Sequence, residues 1–191
     1  LSWYGALEAL GWMGEAGLPA LARAARADGR EEVRRFATRM IGGVRVREGR
    51  EVLLELMEDA RVRSVAAAAL GEMGDTAAVP ALIRGLGDRS PSVRRASAAA
   101  LGRLRDGRAI EPLTLAVKDA HQGVRFAAAG ALAGAGAQAV GALTGMLRQP
   151  DPLVRALAAE TLGRIGGREV VLRLLTVAED PDWGVRAAAA G

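Results

Sequence analysis

VRSVAAAALGEMGDTAAVPALIRGL, residues 62–86, is the stretch whose reading decides the fold. It opens with an alanine-rich run that closes on Leu70-Gly71, turns through GEMGD and enters a second apolar run, AVPALIRGL (78–86). In that second run Val79, Leu82 and Leu86 stand at i, i+3 and i+7, the spacing of one face of an α-helix. The segment therefore predicts a helix, a tight turn and a second helix.

The same unit returns along the whole chain. Val-Arg recurs at Val33, Val62, Val93, Val124, Val154 and Val185, with spacings of 29, 31, 31, 30 and 31 residues. The alanine-rich run follows each time, as in VRRASAAALG (93–102), VRFAAAGALAG (124–134) and VRALAAETLG (154–163). YGALEALG (4–11) ends the same way, with Ser2-Trp3 in the Val-Arg slot, and Ile110, Leu113 and Val117 repeat the apolar face of the second helix. Asp59, Ser90, Asp151 and Asp182, three residues before a repeat valine, are predicted N-caps, with Pro91 and Pro152 at the first helical position. Gly71, Gly102 and Gly163 are predicted left-handed C-caps. First helices are expected near 2–11, 31–41, 60–70, 91–101, 122–132, 152–162 and 183–190, with six second helices between them.

Helix pairs this short cannot bury their apolar faces alone and must stack. The fold class expected is all-α, an α-α superhelix of six pairs plus a seventh first helix. One repeat domain is expected over 1–191, with units near 1–29, 30–58, 59–89, 90–120, 121–150 and 151–181 and a further one starting at 182. The unpaired last helix implies an array that continues past Gly191, in a monomer or as part of a longer chain. The pattern D-x(2–4)-V-R-x(2)-A-A-x-A-L-G followed by A-V-x-A-L resembles the short HEAT-like repeats named after phycobilisome lyases, and the resemblance spans essentially the whole chain.

Composition agrees and narrows function. At 50% hydrophobic and 25% charged, the 191 residues exclude a disordered chain. Trp3, Tyr4, Trp12, Phe36, Phe126 and Trp183 are the only aromatics, so the core must be built of Ala, Leu, Val and Gly. Cysteine is absent, which removes thiolate nucleophiles and Cys-ligated metals and fits a reducing, cytoplasmic setting. His121 is the only histidine and stands at an N-cap slot, so neither a hydrolytic triad nor a zinc site can be assembled. The expectation is a chain that is not an enzyme and takes no cofactor or metal. Residues 126–147 carry no charge and contain Gly141 and Gly145 in GxxxG spacing, but five glycines and Gln138 leave the segment too weakly apolar for a membrane span.

The charge balance is 26 basic against 22 acidic residues, a net of +4, and Lys118 is the only lysine. Arg34, Arg63, Arg94, Arg125, Arg155 and Arg186 recur once per repeat, and each junction also carries an aspartate (Asp28, Asp59, Asp88, Asp119, Asp151, Asp180, Asp182). A repeated Asp with a repeated Arg reads as a hydrogen-bonded ladder between repeats. A second arginine group, Arg45, Arg47, Arg50, Arg103, Arg105, Arg108, Arg164 and Arg168, falls at the turns after the first helices. Glu48, Glu51, Asp106 and Glu169 are interspersed and no aromatic is available to stack bases, so this edge reads as solvated rather than as a phosphate track.

The resemblance implies that second helices line a concave binding face. With Val79, Ile110, Val140 and Val171 taken as equivalent, it points to Arg84, Glu111, Leu115, Arg173 and Thr176 as partner-binding positions. The function expected is a non-catalytic protein-interaction scaffold. The alternatives are a substrate-cradling subunit of a tetrapyrrole (bilin) lyase, which the resemblance brings in, and a nucleic-acid binder along the arginine edge.

Overall fold

In the computed structural model, which describes residues 2–191, thirteen α-helices and four short 3₁₀ turns make up the described chain. The helices gather into two compact units, one ending at Leu104 and one running Arg105–Gly191, where the sequence led to a single repeat domain. The division falls between the two helices of the fourth repeat.

The first unit holds α1 (Trp3–Trp12), α2 (Leu18–Ala27), α3 (Glu31–Gly43), α4 (Arg47–Leu56), α5 (Arg63–Met73), α6 (Val79–Gly85) and α7 (Pro91–Leu104). First helices α1, α3, α5 and α7 stack on one another in order, with α2, α4 and α6 packed against them. The second unit holds α8 (Ile110–Ala116), α9 (Gln122–Ala135), α10 (Ala137–Met146), α11 (Pro152–Ile165), α12 (Arg168–Leu174) and α13 (Trp183–Ala190). There α9, α11 and α13 stack in order, and α8 and α10 lie together.

Within each first helix the offset from the repeat valine sets the fate of a side chain. Four, five and eight residues on, Ala37-Thr38-Ile41, Ala66-Ala67-Leu70, Ser97-Ala98-Leu101, Ala128-Ala129-Leu132 and Ala158-Ala159-Leu162 are all buried. Alanine there lets neighbouring helices approach closely, and the leucine supplies most of the apolar area. Thr38 and Thr161, buried among them, satisfy their hydroxyls by donating to the carbonyls of Arg34 and Leu157, at 2.7 and 2.6 Å.

The glycines correct the expected helix ends. Gly71 and Gly163 lie inside α5 and α11, each of which runs two residues further, and Gly102 lies inside α7. A Cβ on Gly71 would meet the Ala100 backbone at 2.7 Å, and one on Gly42, in the same slot of α3, would meet Ala69 at 2.8 Å. These glycines serve helix crossings. The left-handed residue comes three positions later, at Gly14, Gly74, Gly136 and Gly166, and Arg105 holds the same slot with a φ of 50°.

One of the four predicted N-caps also shifts. Asp151 and Asp182 cap α11 and α13, accepting from the Leu153 and Val185 amides at 2.9 and 3.1 Å. Helix α5 begins only at Arg63, so Asp59 instead closes a turn by accepting from the Arg61 amide. Ser90 stands directly before α7, where it was expected, and donates its amide to Asp88 at 2.7 Å. No helix among the described residues is long and apolar enough to cross a membrane.

Candidate interaction groove

At Arg34, Arg63 and Arg155 the ladder arginine, one residue after the repeat valine, reaches a carboxylate 25 residues ahead, in the next junction. Arg34 pairs with Asp59, Arg63 donates to Asp88 at 2.8 Å, and Arg155 makes a two-pronged bond to Asp180, both arms at 2.8 Å. A second clasp is local: Arg94, Arg125, Arg155 and Arg186 each donate to the two carbonyls six and five residues back, at 2.8–3.2 Å. The aspartates are pre-set for this role. Asp28, Asp59, Asp88, Asp119 and Asp180 each accept from the amide two residues on, which fixes the carboxylate.

Asp151 does not belong to the ladder. The position five residues before Val154, where the junctions before Val33, Val93, Val124 and Val185 carry aspartate, is Gln149, which accepts instead from the Lys118 ammonium at 2.7 Å. At the other end Trp3 stands in an arginine slot. Asp28 is taken up there by Arg30, whose guanidinium lies 5.9 Å from the Trp3 ring centre.

Part of the turn-edge arginine group is also neutralised. Arg47 pairs with Glu51, Arg108 with Asp106, and Arg50 reaches Asp75 across to the next repeat. Hydrogen bonds from Arg108, first from its side chain and then from its backbone amide, bring the Asp106 carboxyl down to about 2. The Ala77 amide and the Arg50 guanidinium lower that of Asp75. His121 accepts from the Gly123 amide through Nδ1 at 3.2 Å, as a cap.

On the first helices of the first unit lies an open groove of about 880 Å³. Its floor is α5, with Ser64, Val65 and Ala68 along the middle. Arg35 and Arg39 rise from α3 on one side, and Arg95 and Arg103 from α7 on the other, with Ala96 and Ala99 between them. These residues stand two, three, six and ten positions after the repeat valine, the slots that packing leaves open. Arg35 is matched by Glu31 at 3.5 Å, and Arg61, at the start of α5, by Asp59 at 3.3 Å. Arg39, Arg95 and Arg103 have no ionic partner among the described residues.

The positions expected on second helices are distributed otherwise. Arg84 is exposed on α6, donating to the Pro80 carbonyl, and does not line the groove. Glu111 and Leu115 line a separate depression of about 360 Å³ in the second unit, facing Gly145 and Met146 of α10. Leu115 is 66% exposed there. Arg173 pairs with Glu169 at 3.4 Å and Thr176 donates to the Arg173 carbonyl, both exposed at the end of the second unit. The groove was readable from the chain's own repetition: two and six residues after the valine, the residue changes from repeat to repeat (Arg, Ser, Arg, Phe, Ala; Arg, Ala, Ala, Gly, Glu), while the buried offsets barely change.

A family model described as HEAT repeats matches residues 18–86, 51–133 and 110–191. No curated protein sequence matches the chain. Among solved structures, an engineered protein of the Northeast Structural Genomics Consortium is 21% identical, with a TM-score of 0.59 over 91% of this chain and 93% of that one. The complex of CpcE and CpcF of phycocyanin lyase from Nostoc sp. PCC7120 is 23% identical, TM-score 0.57, over 96% and 86%. A designed armadillo repeat protein in complex with the peptide (KR)4 is 18% identical, TM-score 0.55, over 91% and 96%. These likenesses establish the fold as an all-α helical-repeat superhelix.

Proposed function

Since the chain belongs to the HEAT repeat family, we propose that it is a non-catalytic interaction scaffold that holds a protein partner in the groove formed by α3, α5 and α7. One observation carries this reading. In three successive repeats the first-helix positions that face away from the core line a single open groove of about 880 Å³, at the upper end of the size range of ligand sites. Its small floor side chains leave room for a partner's own, and its arginine walls offer charge-assisted contacts. The designed armadillo protein bound to (KR)4 is a solved example of a similar superhelix holding a peptide. The groove is preferred over the second-helix set Arg84, Glu111, Leu115, Arg173 and Thr176, of which Glu111 and Leu115 line a smaller depression of about 360 Å³ and Arg173 is paired with Glu169.

The test is selection of binders from a random peptide library against the native protein and against Ala68→Trp, which fills the groove floor. Peptides that bind the native protein and lose binding to the folded variant support the reading. Peptides that bind both equally move the site elsewhere. The likeness to the phycocyanin lyase complex supplies the competing reading. An open-chain tetrapyrrole that stays with the protein through gel filtration, with a shifted absorbance band, would favour it.

A further inference from the structure

We infer that the segment the groove accepts is acidic: a stretch of polypeptide whose carboxylates meet Arg39, Arg95 and Arg103 and whose small apolar side chains rest on the α5 floor. The inference rests on the scaffold reading and adds the chemistry of the partner. After the pairs Arg35–Glu31 and Arg61–Asp59 are set aside, three arginines and one carboxylate, Glu72, remain on the walls. The surplus is local, and the nearly balanced composition of the whole chain conceals it.

The arrangement fits a polypeptide better than a phosphate backbone. Arg95 and Arg103 are eight residues apart on α7, about 12 Å along the helix, and Arg39 stands on the opposite wall. Neighbouring helix axes pack about 8–10 Å apart, so the channel over α5 admits a single helix or extended strand with carboxylates on both flanks. Between the walls lie Val65, Ala68 and Ala99, small apolar side chains against which the methyl and isobutyl groups of a partner's alanines and leucines would pack. Nothing aromatic lines the groove to stack bases. A basic peptide of the (KR)4 kind meets the wrong sign here.

The test uses three labelled peptides of one design, EEALEEALEEAL, QQALQQALQQAL and KKALKKALKKAL, and the oligonucleotide dT20, titrated at low and moderate salt. The acidic peptide should bind roughly tenfold more tightly than the neutral one, weaken with salt, and leave the basic one behind. Reversing two wall charges, Arg39→Glu with Arg95→Glu, should invert the order, whereas Arg84→Glu should leave it unchanged. Both wall arginines are exposed, so the double variant should keep its melting temperature. Equal binding of acidic and neutral peptides would overturn the inference while leaving the groove reading intact. Selected peptides insensitive to Ala68→Trp, with none of the three designs bound, would end both. Tighter binding of dT20 than of the acidic peptide, lost on charge reversal, would assign the groove to nucleic acid instead.

Discussion

Arg34 offers the sharpest test of the ladder, because it is only 3% exposed yet reaches a carboxylate in the next junction. Replacing it with alanine removes a charge-assisted hydrogen bond worth about 1.5–3 kcal/mol and the two methylenes beyond Cβ, worth about 0.8 kcal/mol each. Two effects offset this. The variant no longer has to strip water from a guanidinium whose Nε is buried without a partner. Asp59 also keeps the Arg61 amide at 3.0 Å and the Arg61 side chain at 3.3 Å, so it is not stranded. The balance is a loss of about 2–3 kcal/mol for Arg34→Ala, or roughly 5–10 °C in melting temperature for a chain of this length. Arg34→Met keeps the stem and should cost only about 1 kcal/mol. Thermal melts by circular dichroism measure both, and a double-mutant cycle with Asp59→Asn isolates the pair, with an expected coupling of about 1–2 kcal/mol. Amide exchange at the α3–α5 junction should report the same loss locally, since repeat arrays open piecewise. An unchanged melting temperature for Arg34→Ala, or equal losses for the alanine and methionine variants, would refute the reasoning.

Gly71→Ala should destabilise by about 1–3 kcal/mol, because its Cβ must displace the Ala100 backbone, whereas Gly163→Ala, facing open space within α11, should stabilise by up to about 1 kcal/mol; paired melts decide. The Asp59, Asp75, Asp88 and Asp106 carboxyls all lie below their usual value in the folded chain, Asp106 at about 2. Their contribution is therefore complete above the unfolded value of about 4 and lost as pH falls below it. Melting temperature should stay level from neutral pH down to about 5 and drop between about 4 and 2, and a drop starting near pH 6 would contradict the assignment. Leu115→Asp should change stability by less than about 0.5 kcal/mol at so exposed a site and leave peptide binding in the first-unit groove unaffected; calorimetry checks both.

The period, the helix pairs and most first-helix starts were legible, because Val-Arg marks the same point of nearly every unit and only one face of each helix is apolar. The role of the glycines was not. Two glycine slots recur three residues apart, as at Gly71 and Gly74, and composition cannot distinguish a crossing from a cap; the first lies against Ala100 and the second takes the positive φ. The ladder's register was hidden for a related reason. With an aspartate in nearly every junction, a partner in the same junction and one 25 residues ahead look alike in sequence, and the fold selects the distant one. Asp151 was misplaced because Gln149 breaks the series quietly. The groove escaped notice because the resemblance directed attention to second helices, while the variation that marks it lies on the first.

Val33-Arg34-Arg35 shows how one helix serves both packing and recognition. Successive residues of an α-helix are turned by roughly 100°, so three neighbours point to three different places. Val33 enters the core, Arg34 crosses to Asp59, and Arg35 rises on the groove wall beside Glu31. In α7, Val93 is buried, Arg94 clasps the carbonyls of Asp88 and Arg89, and Arg95 faces the groove without an ionic partner. Two adjacent arginines of equal charge are therefore not interchangeable. The first is consumed by the fold, and its replacement should register as stability. The second is left over by the fold, and its replacement should register as affinity. Because the wall positions carry none of the packing, they can change from repeat to repeat at little cost in stability, which allows a scaffold of this kind to alter what it binds while keeping its core.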